Sequence, residues 1–179
     1  LMLEIYESIL CDERMSPEHE ALQTLYDYLF RVEVWGNYEM RLYNSTMLAM
    51  PIDMVLILSK TAYEKGYEYR GMGRSTRILT RILLNTITYL TGGEKEFHYE
   101  EEVGQFFQFL ETIGLSENDL YTRNFLLQMK GIYEIRKGNV EKGIRMAKKA
   151  IHISTELGAH QLAAQMENYL GIVLGRHQS

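Results

Sequence analysis

Two sets of polar residues recur at spacings that would let them act together on a ligand. The first is Arg74, Arg77, Arg81, Asn85 and Thr88, at offsets of 3, 4, 4 and 3. At about 100° per residue these share one helix stripe roughly 80° wide, while Leu79, Ile82, Leu83, Thr86, Ile87 and Leu90 face the other way. A guanidinium pairs with a carboxylate through two parallel hydrogen bonds, so the stripe's chemistry is carboxylate recognition. The alternative is an ordinary solvated face. Against it stands the lack of any acidic residue between Glu68 and Glu94 to pair with three arginines.

The second set is Asn44, Asn85, Asn124 and Asn168, spaced by 41, 39 and 44. Asparagine is a poor helix-interior residue because its amide competes for backbone hydrogen bonds. One amide offers an acceptor and an NH2 donor together, so it can hold a peptide backbone whatever the ligand's side chains. Chance or structural bracing is the competing explanation, most of all for Asn124 and Asn168, which differ in their offset from the following glycines. Asn44 and Asn85 align better, Leu42-Tyr43-Asn44-Ser45-Thr46 against Leu83-Leu84-Asn85-Thr86-Ile87.

Catalytic and cofactor chemistry finds no support. Gly71-Met72-Gly73-Arg74-Ser75 lacks the preceding strand and following Gly-Lys-Ser/Thr of a phosphate loop and reads as a turn between helices. The five histidines form no His-Glu-x-x-His pair, and there is no nucleophile elbow. No metal, cofactor or catalytic residue is therefore assigned. Met40, Met47, Met50 and Met54 cluster near Asn44; they read as core filling or as an adaptable apolar surface.

The chain that carries these residues has 179 residues, 46% of them hydrophobic and 24% charged, enough to bury a core without disulfides or a structural metal. Cys11 is the single cysteine, expected as a reduced thiol. A net charge of -5 argues against direct binding to a phosphate backbone. With no apolar run of roughly 18 residues and no signal-like N-terminus, a cytoplasmic protein without a membrane partner is expected.

Apolar residues recur at three and four throughout, as in Leu22, Leu25, Tyr26, Leu29 and in Val140, Ile144, Ala147, Ile151, which predicts an all-α fold. Turn signals at Ser16-Pro17, Gly36-Asn37, Met50-Pro51, Gly71-Met72-Gly73, Gly92-Gly93, Gly114, Gly138-Asn139 and Gly158 predict about nine helices, near 1–13, 17–34, 37–49, 51–70, 74–91, 99–113, 117–137, 140–157 and 160–174. Short connections leave a closed bundle or a solenoid of antiparallel pairs. Gly131 and Ala150, on either side of Gly138-Asn139, favour the solenoid. They resemble the small positions of a tetratricopeptide unit, although Gly143 replaces the usual Ala. In such a right-handed solenoid the first helices of the pairs, 37–49, 74–91, 117–137 and 160–174, line the concave wall.

The run from Leu29 through Trp35-Gly36-Asn37-Tyr38-Glu39 to Leu42-Tyr43-Asn44, then Ile82-Leu83-Leu84-Asn85, Gly131-Ile132-Tyr133 and Gly138-Asn139, resembles the C-terminal regulatory domain of Rgg/MutR-type transcriptional regulators. The resemblance covers most of the chain. It implies a non-enzymatic tetratricopeptide-like domain, here 1–179, that dimerises and binds a short hydrophobic signalling peptide in its concave groove. It also implies that DNA is read by an N-terminal helix-turn-helix domain, which this sequence is expected to lack as a fragment. The peptide-binding set is then Asn44, Asn85, Arg81, Arg77, Arg74, Trp35, Tyr43, Met47, Asn124 and Gln128. The helix at 160–174, with Leu162, Met166, Tyr169, Leu170 and Val173, is expected to contribute to a homodimer interface. The alternative function is a tetratricopeptide scaffold that docks a protein partner without a peptide signal.

Overall fold

The computed structural model describes residues 2–11, 15–66, 73–92 and 97–178 of the chain. Among them all regular structure is helical: α1 (Met2–Leu10), α2 (Glu20–Arg31), α3 (Asn37–Thr46), a 3-10 turn (Met47–Ala49), α4 (Ile52–Gly66), α5 (Gly73–Thr91), α6 (Glu100–Ile113), α7 (Leu120–Arg136), α8 (Val140–Glu156) and α9 (His160–Gln178). Each predicted span corresponds to one of these helices, with differences at the ends. The second begins at Glu20 rather than 17, where His19 caps it by accepting the Ala21 N–H at 3.2 Å. The third stops at Thr46, whose hydroxyl donates to the Leu42 carbonyl at 2.8 Å before the chain tightens into the 3-10 turn. The last continues to Gln178 instead of stopping at 174. The expected turn at Gly71-Met72-Gly73 falls largely outside the described residues.

The chain divides into two compact units, 1–86 and 87–179, with the division inside α5. In the first, α1 to α4 and most of α5 enclose Ile5, Leu22, Leu29, Trp35, Met40, Tyr43, Met47, Leu58, Leu79 and Ile82, all at most 1% exposed. The α2–α3 corner is set by Trp35, whose Nε1–H donates to the Leu29 carbonyl at 3.0 Å, and by Glu39, which accepts the Gly36 N–H at 3.0 Å. Tyr28 donates its hydroxyl to the same Glu39 carboxylate at 2.8 Å, and that bond raises the phenol's pKa. Lys65 reaches from α4 to the Phe30 and Val32 carbonyls, placing a cation on the C-terminal end of α2. Inside the core the Tyr43 hydroxyl lies 2.9 Å from the Val55 carbonyl and 2.7 Å from Ser59 Oγ. Ser59 Oγ is 2.6 Å from Thr86 Oγ1, itself 2.9 Å from the Ile82 carbonyl. This row of hydroxyls ties α3, α4 and α5 together.

In the second unit α7, α8 and α9 follow one another through two turns of the same construction. The Asn139 N–H returns to the Glu134 carbonyl and the Gly138 N–H to Ile135, each at 2.9 Å. Twenty residues on, Ala159 and Gly158 do the same to Ser154 and Thr155. Both turns need a residue at positive φ, supplied by Gly138 (φ 90) and Gly158 (φ 73). The α7–α8 hairpin closes backbone on backbone: a methyl on Gly131 would sit 2.8 Å from both the Ala147 nitrogen and the Gly143 oxygen. Ala147 and Ala150 are fully buried beside this contact.

Candidate ligand-binding site

Asn44 lies on α3 and Asn85 on α5, and the fold brings the pair together: Asn85 Nδ2 donates to Asn44 Oδ1 at 3.0 Å. Both residues are half-buried. The bond spends one donor and one acceptor, so the Asn44 NH2 and the Asn85 carbonyl make no other hydrogen bond among the described residues. The two asparagines therefore brace each other, which the sequence reading did not anticipate, while keeping the Asn44 NH2 and the Asn85 carbonyl in reserve.

Arg77 and Arg81 continue the stripe on α5 and are exposed, with Asn85 and Thr88 half-buried beyond them. The opposite face is as expected, Leu79, Ile82, Leu83, Thr86, Ile87 and Leu90 being buried. Neither arginine has an ion pair or hydrogen bond among the described residues. The Arg74 side chain lies outside the described residues.

Five other expected site residues are built into the core instead. Trp35, Tyr43 and Met47 are at most 1% exposed. Trp35 and Tyr43 pack edge to face at 5.7 Å, and their polar atoms bond within the first unit, Trp35 to Leu29 and Tyr43 to Val55 and Ser59. An aromatic whose ring and polar tip are both satisfied inside the chain presents nothing to a ligand. The Trp35-to-Glu39 run that carries the family resemblance is thus a structural corner. In the second unit Gln128 is 1% exposed and its Nε2 donates to the Met166 carbonyl at 2.8 Å, linking α7 to α9. Asn124 donates to the Ala150 carbonyl at 2.9 Å and to Ser154 Oγ at 2.8 Å, pinning α7 to α8; its Oδ1 is buried and has no hydrogen-bond partner among the described residues. Asn168 is exposed. The even ladder of four asparagines resolves into a mutual pair, a brace and a surface residue. The apolar residues of α9 offered for a dimer interface also turn inward: Met166, Leu170 and Val173 are buried, and Tyr169 donates to the Thr88 carbonyl at 3.1 Å.

One feature of the second unit escaped the sequence reading. An open cavity of about 320 Å³ lies between α6 and α7, lined by Leu110, Leu115, Leu126 and Leu127 together with Glu111, Arg123 and Lys130. Its only sequence signal is apolar residues either side of the Gly114 turn, indistinguishable from ordinary core spacing. Among the described residues no group of three or more His, Cys, Asp or Glu is placed to hold a metal, and Cys11 is an exposed free thiol. No helix among them is long and apolar enough to cross a membrane.

These features define an all-helical chain with a polar amide pair, exposed arginines on the same stripe of α5, and no catalytic constellation among the described residues. The chain belongs to the Rgg family: residues 2–168 match the C-terminal domain of the HTH-type transcriptional regulator Rgg. That is a family of regulators rather than of enzymes. Its fold is shared with the crystal structure of the Streptococcus dysgalactiae SHP pheromone receptor Rgg2, at TM-score 0.72 and 21% identity over 88% of this chain and 59% of that one. It is shared also with a Listeria monocytogenes EGD-e protein assigned as a transcriptional regulator, at TM-score 0.73 and 20% identity over 92% of this chain and 56% of that one. The chain spans somewhat more than half the length of these proteins.

Proposed function

We propose that this chain is the ligand-sensing and dimerisation domain of a cytoplasmic Rgg-type transcriptional regulator, and that its ligand is a short, mostly apolar signalling peptide. In this reading residues 1–179 form one regulatory domain, a right-handed solenoid of tetratricopeptide-like pairs, and peptide occupancy is passed to a DNA-reading domain. The observation that carries the proposal is the Asn44–Asn85 pair, half-buried and bonded across two helices, with the Asn44 NH2 and the Asn85 carbonyl unspent among the described residues. An extended peptide unit needs that combination, and it is indifferent to the peptide's side chains. Arg77 and Arg81 on the same stripe, exposed and without a carboxylate among the described residues, suit a free C-terminus or an acidic side chain. That the Streptococcus dysgalactiae relative is named as a pheromone receptor supports the ligand class.

The test is calorimetric titration of the domain with candidate short peptides. Asn85→Ala should weaken the peptide that binds by roughly 5- to 150-fold, the worth of a lost buried clamp. Arg81→Lys should weaken it too, because an ammonium lacks the planar fork, and amidating the peptide's C-terminus should reproduce the loss if that carboxylate is the partner. A peptide that binds Asn44→Ala, Asn85→Ala and Arg81→Ala as tightly as the parent would refute this assignment. Sedimentation at roughly tens of micromolar should show a homodimer, since such regulators read paired half-sites; a monomer alone would remove dimerisation from the proposal.

A further inference from the structure

We propose that the cavity between α6 and α7 is a second binding site, for a small aliphatic monocarboxylate. Its volume of about 320 Å³ lies at the small end of the range of ligand sites, ~300–1,000 Å³. At ~30 Å³ per water-sized group it admits on the order of ten non-hydrogen atoms. Its walls are four leucines: Leu110 is buried, while Leu115, Leu126 and Leu127 are half-buried and retain apolar surface that a hydrocarbon body would cover.

The rim fixes the ligand's charge. Lys130 is committed, its ammonium 3.0 Å from the Glu111 carboxylate and 5.9 Å from the centre of the Phe107 ring. Arg123 is held but not neutralised. Its Nε donates to the Ser116 carbonyl and its Nη2 to the Leu115 carbonyl, both at 3.1 Å, so the α6–α7 turn clamps the guanidinium with uncharged acceptors. Of the five N–H donors of a guanidinium, those two bonds leave three, and no carboxylate pairs with Arg123 among the described residues. Two cations against one anion leave a single positive charge beside an apolar cavity. A monocarboxylate matches that surplus; a phosphate would bring more negative charge than the one uncommitted cation balances.

The cavity uses none of the residues of the peptide reading. On α7 the Asn124 and Gln128 side chains bond to α8 and α9, whereas Leu126 and Lys130 face α6, on another side of the helix. The same chemistry could arrive as a free medium-chain fatty acid or as the C-terminal apolar residue of a peptide. Octanoate and N-acetyl-leucine represent the two sources, and octanol keeps the chain without the charge.

Calorimetry and backbone amide shifts of the intact chain test the assignment. Octanoate should bind with shifts confined to 107–131, and octanol at least about tenfold more weakly; binding by N-acetyl-leucine as tight as octanoate's would assign the site to peptide C-termini rather than free acids. Arg123→Gln should weaken octanoate by about tenfold or more, and Leu127→Phe, which fills the cavity, should abolish binding. The proposal fails if octanol binds as well as octanoate, if Arg123→Gln leaves affinity unchanged, if the shifts map elsewhere, or if neither acid binds. It fails equally if Leu127→Phe leaves octanoate binding intact and changes the oligomeric state, which would make the cavity an interface between copies of the chain.

Discussion

Replacing glycine by alanine should have opposite effects at two helix-interior positions of this protein, and the structure supplies the sign at each. Either change relieves the helix penalty of glycine, a gain of roughly 0.5–1 kcal/mol. At Gly171, on the exposed side of α9, nothing lies within 4 Å of the added methyl, so that gain stands. At Gly131 the methyl meets the Ala147 nitrogen and the Gly143 oxygen at 2.8 Å each and Met146 Cβ at 3.1 Å. Two of the three neighbours are backbone, so the clash is relieved only by separating α7 from α8 and loosening Ala147 and Ala150. Overpacking of this kind costs roughly 1–3 kcal/mol, and its upper half is expected where no side chain can swing aside. The net loss for Gly131→Ala is then about 1–2.5 kcal/mol, or about 2–10 °C in melting temperature for a chain of this length, against a rise of about 1–4 °C for Gly171→Ala. Thermal and urea unfolding followed by far-UV circular dichroism would measure both. A Gly131→Ala variant that melts at or above the parent, or two variants that shift together, would show that the hairpin does not close on backbone contact.

Three further outcomes follow from the same structure. The Asn44→Ala, Asn85→Ala double-mutant cycle should give a coupling of roughly 0.5–1.5 kcal/mol in unfolding free energy, and no coupling would mean the amide pair does not persist in solution. Trp35→Phe should cost about 1–3 kcal/mol of stability through the lost bond to Leu29 and the lost volume, with ligand affinity of the folded protein unchanged; a loss of affinity at full stability would return Trp35 to the site. Glu134 accepts from Lys142 at 3.0 Å and Asn139 at 2.8 Å, and the Lys142 bond foremost holds its pKa below the ordinary 4.5. Its contribution, about 0.5–1 kcal/mol, should be complete above that value and drain away as pH falls through the lowered one. Glu134→Gln should therefore cost stability in urea titrations at neutral pH and nothing in strong acid, and a cost that persists in acid would point to packing.

The helices were legible because their signals are local. Period-three-and-four apolar spacing and glycines such as Gly138 and Gly158, which can adopt positive φ, act within a few residues of where they stand. The chain ran past expectation at α9 because no residue there forces a stop. The family, too, was legible, since its run of residues around Trp35 is contiguous. The site was less so, because a side chain's role depends on what the fold sets opposite it. Asn44 and Asn85 stand out in the sequence by their aligned surroundings, yet that they bond to each other depends on a register across 41 residues. Asn124 and Gln128 carry the same side-chain chemistry and spend it on α8 and α9. Trp35 and Tyr43, aromatic and near Asn44 in sequence, are assigned to the core by their burial and by polar bonds to Leu29 and to Val55 and Ser59, none of which local spacing specifies.

The row of buried hydroxyls between α3, α4 and α5 has a shortage built into it. Tyr43, Ser59 and Thr86 own three hydroxyl protons, but their oxygens make four contacts, with Val55 O at one end, Ile82 O at the other and two between themselves. Both ends are carbonyls, which contribute no proton, so at any instant one of the four contacts goes without. Rotation of the hydroxyls can move that gap from one end of the row to the other, and the polarity of the seam reverses as it passes. Each hydroxyl touches two partners, yet deleting any one of them leaves two protons for two contacts and costs a single bond, making this core seam more forgiving of Ser59→Ala than its four short distances suggest.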